Sequence, residues 1–272
     1  MKVSFQGEKG SYSEEAVLQY FGSVEPVPFQ QFGGVFASVS NGDMDCGVVP
    51  VENSQAGSIN DTYDLLLDYS LNIVGEIFLK VEHYLLALPG EKIENLKTIY
   101  SHPQAIAQCE EFLSRLSAEI IPTYDTAGSA KIIQEKGLIN SAAVAAKRVA
   151  EIYRMEILAA GIQTNPRNIT RFFIISKEKA TSTGNSKTSL VFRTKNTPGA
   201  LYQGLGAFAA RGVNLTKLES RPTKDTPWEY IFYVDFEGNS EDLLCQEALE
   251  ELKGESVFLR ILGSYPRTEN VT

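Results

Sequence analysis

The stretch RFFIISKEKATSTGNSKTSLVFR, residues 171–193, decides how the chain is divided. Two apolar runs, FFIIS and SLVF, are typical of buried strands, whereas the segment KEKATSTGNSK at 177–187 is polar and rich in Ser, Thr and Lys. A short segment of this composition is typical of a linker between folded regions. The sequence therefore predicts two domains, one over residues 1–180 and one over residues 188–272.

The region before the linker alternates strands with helices. VSFQG is followed by the helical SEEAVLQYFG, and DCGVVPVEN is followed by NDTYDLLLDYS. Strands that alternate with helices of this length favour an α/β layer fold with parallel strands. Because about 180 residues follow one another without a compositional break, we expect two α/β lobes that share one cleft.

The region after the linker has a different order of elements. TSLVFRTK, VNLTKLESRP, WEYIFYVDFEG and SVFLRILGSYP are strand-like, and GALYQGLGAFAARG and SEDLLCQEALEELKG are helical. Together they give the order βαββαβ, which is that of the ferredoxin-like fold. A small sheet with one helical layer leaves its other face or an edge for pairing, so we expect at least a homodimer.

The composition argues against several classes of protein. A net charge of −9 and the lack of a basic run argue against nucleic-acid binding. The first residues form no apolar signal region and no stretch reaches eighteen apolar residues, so we expect a cytoplasmic protein without a membrane span. The three cysteines and two histidines lack metal-ligand spacing, so we expect reduced, packed thiols and no metal.

Several helix starts in the first region carry hydroxyl side chains. Three have or approach the spacing of a capping box: Ser11–Glu14, Ser58–Asp61 and Ser101–Gln104. TAGSA at 126–130, which begins with Thr126, is another helix start with a hydroxyl. Most caps of this kind only satisfy backbone N–H groups. Helix starts also carry partial positive charge, and in open α/β sheets they lie where ligands bind. The pattern leaves both readings open, simple caps or a cleft that binds an anion.

Two further places are candidates for the floor of such a cleft. PVENSQAGS at 50–58 places Glu52, Asn53 and Ser54 directly after an apolar strand, as either a well-bonded loop or the floor of a site. His102 in SHPQA lies near the start of a helix, where a histidine is either a capping group or part of a site.

Thr170 and Arg171 stand in NITRFF at the start of an apolar strand. Adjacent residues on a regular strand point to opposite faces, so both face one cleft only at a frayed strand entry. Arginine offers a planar fork suited to a carboxylate, and threonine offers a small donor. No nucleophile–base pair, nucleotide-binding glycine motif or Schiff-base lysine stands out. The residues alone thus indicate an anion-binding cleft without a cofactor, joined to a small sensor-like domain.

The chain closely resembles the monofunctional prephenate dehydratases of phenylalanine biosynthesis. The matching stretches are GEKGSYSEEA (7–16), GVVPVENSQAGSINDTYDLL (47–66), SHPQAIAQCEEFL (101–113) and NPRNITRFFII (165–175). The last contains the Thr-Arg-Phe motif of that family. NTPGALYQGLGAFAARGVNLTKLESRP (196–222) resembles an ACT regulatory domain. Because the dehydratase motif begins within ten residues of Met1, we expect no chorismate mutase-like segment before it.

The resemblance implies a fold and an activity. The fold is a two-lobed catalytic domain like that of periplasmic binding proteins, with a cleft between the lobes, followed by a ferredoxin-like ACT domain. The activity is the loss of water and carbon dioxide from prephenate to give phenylpyruvate. Aromatisation supplies much of the driving force, so no redox or metal cofactor is expected. Such an enzyme must hold a dianion, place a proton donor at the ring hydroxyl and stabilise departing charge.

The resemblance also implies roles for individual residues. Thr170 would donate or relay the proton. Because its hydroxyl is a poor acid, the role of a positioned hydrogen-bond donor suits it better than that of a general acid. Arg171 would clamp a carboxylate and Phe172 would shape the ring pocket. Glu52 would orient other groups, because a free carboxylate beside a dianion is unfavourable. The candidates for lining the cleft are Ser11, Glu52, Asn53, Ser54, Ser58, His102, Gln104 and Thr126.

Phenylalanine would inhibit through the ACT domain, usually at a subunit interface of a homodimer or homotetramer. The residues that match the effector-contact pattern are Asn196, Gly199, Ala200, Leu201, Asn214 and Leu215, with Glu219 and Ser220 coupling to them. Taken without the dehydratase motifs, GALY is a helix start packed through small residues, and ESRP is a strand end.

Two rival functions remain open at this stage. Arogenate dehydratase would accept an amino group where prephenate has a keto group. A non-catalytic amino-acid sensor is the rival from another class, since two-lobed clefts are widely used only to bind ligands. The intact Thr170–Arg171 pair argues against the sensor, because binding alone does not require a hydroxyl in an apolar site.

Overall fold

In a computed structural model, the described part of the chain comprises residues 1–181, 184–223 and 228–268. The chain divides into two compact units. The first contains Met1–Leu65 and Ile77–Phe172, and the second contains Leu66–Glu76 and the described residues between 173 and 268. Residues 182 and 183 of the predicted linker lie outside the described residues, and the predicted domain boundaries stay a prediction.

The strands and helices follow one another along the whole described chain. The strands are β1 (Lys2–Gln6), β2 (Glu25–Phe29), β3 (Cys46–Asn53), β4 (Gly57–Ser58), β5 (Asn72–Lys80), β6 (Tyr84–Ala87), β7 (Thr98–Ser101), β8 (Glu119–Pro122), β9 (Ser141–Ala145), β10 (Glu156–Ala160), β11 (Ile169–Ser176), β12 (Ser186–Thr194), β13 (Leu215–Pro222), β14 (Tyr230–Glu237) and β15 (Ser256–Pro266). The helices are α1 (Tyr12–Phe21), α2 (Phe32–Asn41), α3 (Asn60–Asp68), α4 (Pro103–Gln108), α5 (Glu110–Leu113), α6 (Thr126–Lys136), α7 (Lys147–Ile152), α8 (Ala200–Ala209) and α9 (Leu243–Glu255).

The first sheet has six strands in the order β2-β1-β3-β11-β5, with the short strand β4 beside β3. Strand β1 runs parallel to both β2 and β3. Val48 and Val49 are neighbours on β3 and are both completely buried, as expected for a strand covered on both faces. The backbone N–H of Ser54 donates to the carbonyl of Ile169 at 2.8 Å, so the end of β3 lies beside the start of β11.

The second sheet has the order β10-β6-β9-β7-β8. The chain leaves the first sheet after β5 and returns to it with β11, so two crossings join the two sheets. The predicted two α/β lobes are therefore confirmed. The second sheet is mixed rather than parallel throughout, because β6 is antiparallel to both β9 and β10. Strand β6 follows β5 without a helix between them, because the two strands belong to different sheets and need no crossover connection.

The C-terminal region forms a separate antiparallel sheet in the order β13-β14-β12-β15. With α8 and α9 it has the predicted βαββαβ arrangement, which confirms the ferredoxin-like fold. Helices α8 and α9 approach closely at Gly204, where a Cβ atom would lie only 2.8 Å from Cδ1 of Leu252. Glycine at this position lets the two helices pack against each other.

The segment Leu66–Glu76 belongs to the second unit through polar contacts with its C-terminal sheet. The completely buried Glu76 accepts from Nζ of Lys187 on β12 at 2.7 Å. The guanidinium of Arg260 on β15 donates to the carbonyls of Leu66, Leu67 and Tyr69, which lie at the end of α3. Carbonyls at a helix end lack partners within the helix, and Arg260 satisfies them. Its positive charge also interacts favourably with the partial negative charge at this end of the helix.

The described residues include no helix that is long and apolar enough to span a membrane. The three cysteines, Cys46, Cys109 and Cys245, are free and buried, as predicted. Burial raises the pKa of the Cys109 thiol to about 12. This thiol is therefore protonated at neutral pH and packs as a small apolar group.

Candidate active site

A polar turn between β3 and β4 forms the base of the candidate site. Strand β3 ends at Asn53, which is only 3% exposed. The Oδ1 atom of Asn53 accepts hydrogen bonds from the backbone N–H groups of Gln55 and Ala56, both at 3.0 Å. The hydroxyl of Ser54 accepts from the N–H of Ile169 at 3.0 Å and so holds the turn against β11. The PVENSQAGS stretch is thus a well-bonded turn whose central side chain is fixed from both sides.

The amide of Asn53 connects this turn to Thr170. Its Nδ2 atom lies 2.7 Å from Oδ1 of Asn168 and 2.9 Å from Oγ1 of Thr170. Because Oδ1 of Asn53 is committed to two backbone donors, Nδ2 must act as the donor in both contacts. The Thr170 oxygen therefore accepts a hydrogen bond, and the proton of its own hydroxyl is not used in this contact.

The second lobe reaches the same cluster through Gln108, the last residue of α4. The Nδ2 atom of Asn168 donates to Oε1 of Gln108 at 2.9 Å. Oε1 of Gln108 also lies 2.8 Å from Nε2 of His83, on the crossing between the lobes. We call Asn53, Thr170, Asn168 and Gln108 the amide–threonine cluster. It joins two strands of the first lobe to a helix of the second, as required of a site in an interlobe cleft.

Arg171 and Phe172 follow Thr170 inside β11 rather than at a frayed entry. The strand begins at Ile169, so the Arg171 side chain points to the face opposite that of Thr170. The guanidinium carbon lies 5.9 Å from the ring centroid of Phe78, within the range of a cation–π contact. Phe172 is 2% exposed. The structure thus places Thr170 in the cluster and Arg171 against an aromatic ring of β5, and a carboxylate clamp by Arg171 stays a prediction.

Ser11 is the cap of α1, as predicted. Its hydroxyl accepts from the N–H of Glu14, while the Glu14 carboxylate accepts from the N–H of Gly10 at 2.8 Å. Gly7 lies before this helix with a φ of 118°, and a Cβ atom there would lie 3.2 Å from Oδ2 of Asp125 in the second lobe. Only glycine suits both the backbone angle and the close approach.

Two of the other predicted caps, Ser101 and Thr126, were wrong, each for a local reason. Ser58 lies in β4, paired with Glu52 of β3, and its capping of α3 stays a prediction. Ser101 is completely buried and donates its hydroxyl to the carbonyl of Val144 at 2.7 Å, so His102 caps α4 instead. Thr126 is displaced by its neighbour Asp125, whose carboxylate accepts from the N–H of Gly128 at 2.8 Å and is the stronger acceptor.

The remaining candidates lie at or near strand ends and helix starts, and they differ in how far their side chains are buried. Nδ1 of His102 accepts from the N–H of Gln104 at 3.2 Å, which makes His102 a capping group. Burial lowers the pKa of His102, and the carboxylate of Asp125 opposes this effect. Gln104 and Ser54 are exposed, whereas Glu52 and Thr126 are half-buried. The structure therefore brings Asn53 and Thr170 together and leaves His102, Gln104 and Thr126 at helix starts of the second lobe.

Sequence reasoning missed three members of the polar network. They are Asn168 and His83, which are 0% and 2% exposed, and Gln108, which is half-buried. Asn168 stands two residues before Thr170, and this spacing on a strand was a usable signal because it selects one face. Gln108 stands four residues after Gln104 on a helix, which is the spacing of one helical face. His83 had no comparable local signal.

The predicted effector residues lie at the start of α8 and along β13. Gly199 caps α8 with a φ of 84°, a value that favours glycine. Strand β13 is an edge strand, and its residues alternate between half-buried and exposed. Asn196, Asn214 and Ser220 are exposed and Ala200 is buried. The half-buried members are Leu201, Leu215 and Glu219.

Comparison with known proteins gives consistent matches. A model of the prephenate dehydratase family matches residues 3–180, and a model of the ACT domain matches residues 188–254. The curated protein "Arogenate dehydratase/prephenate dehydratase 2, chloroplastic" of Arabidopsis thaliana is 43% identical over 98% of this chain and 73% of its own length.

Two solved structures are similar over nearly the whole chain. A prephenate dehydratase of Arthrobacter aurescens in complex with L-Phe is 33% identical, with a TM-score of 0.90, over 98% of this chain and 90% of that one. A second structure, described as GqqA, a novel type of quorum quenching acylase, is 37% identical with a TM-score of 0.90 over 98% of both chains. The cytoplasmic location stays a prediction, since the Arabidopsis relative is named as chloroplastic.

Proposed function

The chain belongs to the prephenate dehydratase family, and on this basis we propose that it converts prephenate to phenylpyruvate. As a member of this family it is a dehydratase of the lyase class. In the proposed reaction the bond between the ring and its carboxylate breaks, and carbon dioxide leaves. The electron pair of that bond moves into the ring, the bond to the ring hydroxyl breaks, and the hydroxyl takes up one proton to leave as water.

The observation that carries the proposal is the orientation of Thr170. Its oxygen accepts from Asn53 at 2.9 Å, and its side chain is largely excluded from water. A hydroxyl held in this way directs its proton away from Asn53. Thr170 then acts as a hydrogen-bond donor to the leaving hydroxyl group, a role that does not require it to be a strong acid.

The other members of the amide–threonine cluster suit a substrate with two negative charges. Asn53, Asn168 and Gln108 are neutral, so they surround the reacting centre without the repulsion that a carboxylate would add. Arg171 is the residue proposed to clamp one substrate carboxylate, although its side chain lies on the face of β11 opposite that of Thr170. Glu52, directly before Asn53, is proposed to orient the groups of the turn, and the buried Phe172 is proposed to shape the ring pocket.

The direct test is formation of phenylpyruvate from prephenate by the purified chain, for wild type, Thr170→Ser and Thr170→Ala. Thr170→Ser keeps the hydroxyl and is expected to retain a substantial part of kcat. Thr170→Ala removes it and is expected to lower kcat by roughly 100-fold or more, as for other lost transition-state donors. Wild-type turnover that survives Thr170→Ala would remove Thr170 from the reaction. An acylase assay on the same preparation addresses the activity named for one structural relative.

Arogenate dehydratase is the alternative with comparable support, because the Arabidopsis relative is named for both activities. Arogenate differs from prephenate by an amino group in place of the keto group, and its product is phenylalanine. The neutral amides of the cluster do not discriminate between these groups by charge. The test is to compare kcat/KM for the two substrates in one preparation, and a ratio above ten in either direction assigns the enzyme.

Inhibition by phenylalanine is the proposed regulation. It is supported by the match of residues 188–254 to the ACT domain and by the similarity to a dehydratase bound to L-Phe. The proposed contacts are at the start of α8, from Asn196 to Leu201, and on β13, in a homodimer or homotetramer. Gly199→Ala forces a side chain onto a φ of 84° and is expected to weaken inhibition by phenylalanine. Activity without phenylalanine should stay close to that of wild type.

A further inference from the structure

His83 lies on the crossing between the two lobes and is only 2% exposed. Its backbone is fixed on both sides, because its N–H donates to Oε1 of Gln163 at 2.9 Å and its carbonyl accepts from the N–H of Ile162 at 3.0 Å. Its ring lies between two side chains. Nε2 is 2.8 Å from Oε1 of Gln108, and Nδ1 is 3.1 Å from the hydroxyl of Tyr12.

The direction of each hydrogen bond in the amide–threonine cluster follows from one fixed end. The backbone N–H groups of Gln55 and Ala56 can only donate, so Oδ1 of Asn53 is the acceptor on that side. Nδ2 of Asn53 then donates to Oδ1 of Asn168. Asn168 in turn presents Nδ2 to Gln108, and Oε1 of Gln108 must accept. No amide in this series can be reversed without placing two donors or two acceptors together.

The same reasoning reaches His83 and assigns its proton. Because Oε1 of Gln108 is an acceptor, Nε2 of His83 must carry a hydrogen. We propose that His83 is a positioning residue for the reaction, and that its Nε2–H holds the Gln108 amide in the orientation that the cluster requires. This inference rests on the proposed dehydratase function. His83 acts through Gln108, and its contribution is to hold the side chains of Gln108 and Asn168 in place beside the Asn53–Thr170 contact.

Tyr12 completes the arrangement on the other side of the ring. Its hydroxyl lies 3.1 Å from Nδ1 of His83 and 2.5 Å from the carbonyl oxygen of Glu82, and the two rings meet edge to face at a centroid distance of 5.7 Å. The Tyr12 hydroxyl has one hydrogen, which it donates to the Glu82 carbonyl, so the position of the hydrogen on the His83 ring is assigned by Gln108 and not by Tyr12. Burial also lowers the pKa of His83 and so favours the neutral ring.

The test compares two substitutions, each of which places an amide nitrogen where one of the two ring nitrogens of His83 lies. The amide nitrogen of His83→Gln reaches the place of Nε2 and can still donate to Gln108, whereas that of His83→Asn reaches only the place of Nδ1. We expect His83→Gln to keep kcat within about threefold of wild type, and His83→Asn to lower kcat by about tenfold or more, the equivalent of one lost hydrogen bond. KM should change much less in both, because the loss concerns the donor to the leaving group.

A double-mutant cycle separates this role from a merely structural one. If His83 acts through Gln108, His83→Asn in a Gln108→Leu background lowers kcat by less than about twofold, so the two effects are not additive. Fully additive effects, or a His83→Asn enzyme as active as wild type, would overturn the proposal. The folded state of each variant is checked by circular dichroism.

A spectroscopic measurement of the histidine rings in the wild-type chain does not depend on activity. The chain has two histidines, so ¹⁵N chemical shifts of labelled histidine give two rings to assign, and His83→Gln identifies the signal of His83. The expected result at neutral pH is a neutral ring with hydrogen on Nε2. A hydrogen on Nδ1 alone would overturn the inference. A wild-type chain with the expected ring state but no dehydratase turnover would refute the proposed function and leave the hydrogen-bond assignment in place.

Discussion

Asn53 and Thr170 are joined by a hydrogen bond of 2.9 Å in which the amide of Asn53 donates to the Thr170 oxygen. The two residues are 117 positions apart in the chain. Their contact exists because β3 ends beside the start of β11, where the Ser54 N–H meets the Ile169 carbonyl. The pairing of these two strands thus places a neutral donor behind the hydroxyl and leaves its proton for a ligand.

Asn53→Asp tests this relationship with almost no change of shape. An aspartate can still accept from the N–H groups of Gln55 and Ala56, but it cannot donate to Thr170. The Thr170 hydroxyl is then expected to donate to the new carboxylate, and kcat should fall by roughly 100-fold or more. The measurement is the steady-state rate with prephenate.

Gln55→Glu is the matched control for that substitution. It adds the same negative charge to the same turn, on an exposed side chain two residues away. We expect its kcat to stay within about threefold of wild type, since an exposed charge is screened. Equal losses in the two variants would mean that added charge, rather than the lost donor, explains the effect of Asn53→Asp.

The close packing of α8 on α9 gives a prediction about stability. Gly204→Ala places a Cβ atom 2.8 Å from Cδ1 of Leu252, whereas Gly206→Ala in the same helix meets nothing within 4 Å. Gly204→Ala is expected to lower the free energy of unfolding by up to about 2 kcal/mol, because an overpacking cost of about 1–3 kcal/mol is partly offset by the better helix propensity of alanine. Gly206→Ala is expected to raise it by up to about 1 kcal/mol, because alanine is the better helix former. Urea unfolding followed by circular dichroism measures both, and a stabilising Gly204→Ala would contradict the packing argument.

The buried pair of Glu76 and Lys187 gives a second prediction about stability. Glu76 is completely buried and lies 2.7 Å from Nζ of Lys187, whose side chain is 7% exposed. Glu76→Gln removes the carboxylate that compensates this ammonium, and a loss of about 3–5 kcal/mol in the free energy of unfolding is expected.

The double variant Glu76→Gln with Lys187→Met removes both charges and is the control for that prediction. It should recover a large part of the loss, because the ammonium is removed together with the carboxylate that faces it. Unfolding midpoints in urea for wild type, both single variants and the double variant measure the coupling. A double variant that is less stable than Glu76→Gln alone would show that the ammonium has other roles that outweigh this pair.

Features set by residues close together in the sequence could be predicted, whereas contacts between distant parts of the chain could not. The βαββαβ order of the C-terminal region was predictable because strand and helix periods alternate locally along the chain. The Ser11 cap was predictable because its partner, Glu14, is only three residues away. At α6 the same kind of prediction named Thr126, but the neighbouring Asp125 is the cap. Gln108 and His83 were not predictable, because their partners come from other elements and only the folded chain brings them together. Buried amides carry no periodic signal of their own.

The pH dependence of stability gives the last prediction, and His83 is its main source. Burial lowers the pKa of His83, and the hydrogen bond with Gln108 opposes this effect. The unfolded chain therefore binds the proton more readily than the folded chain, so stability rises with pH in this range. The contribution is fully present above the unfolded pKa of about 6.5 and is lost as the pH falls below it. Urea midpoints of wild type should thus decrease between about pH 7 and pH 5.

His83→Gln cannot take up this proton, so its urea midpoint should fall less than that of wild type over the same interval. His102→Gln serves as the comparison, because burial also lowers the pKa of His102. If His83→Gln loses as much stability on acidification as wild type, the protonation of His83 does not control this dependence.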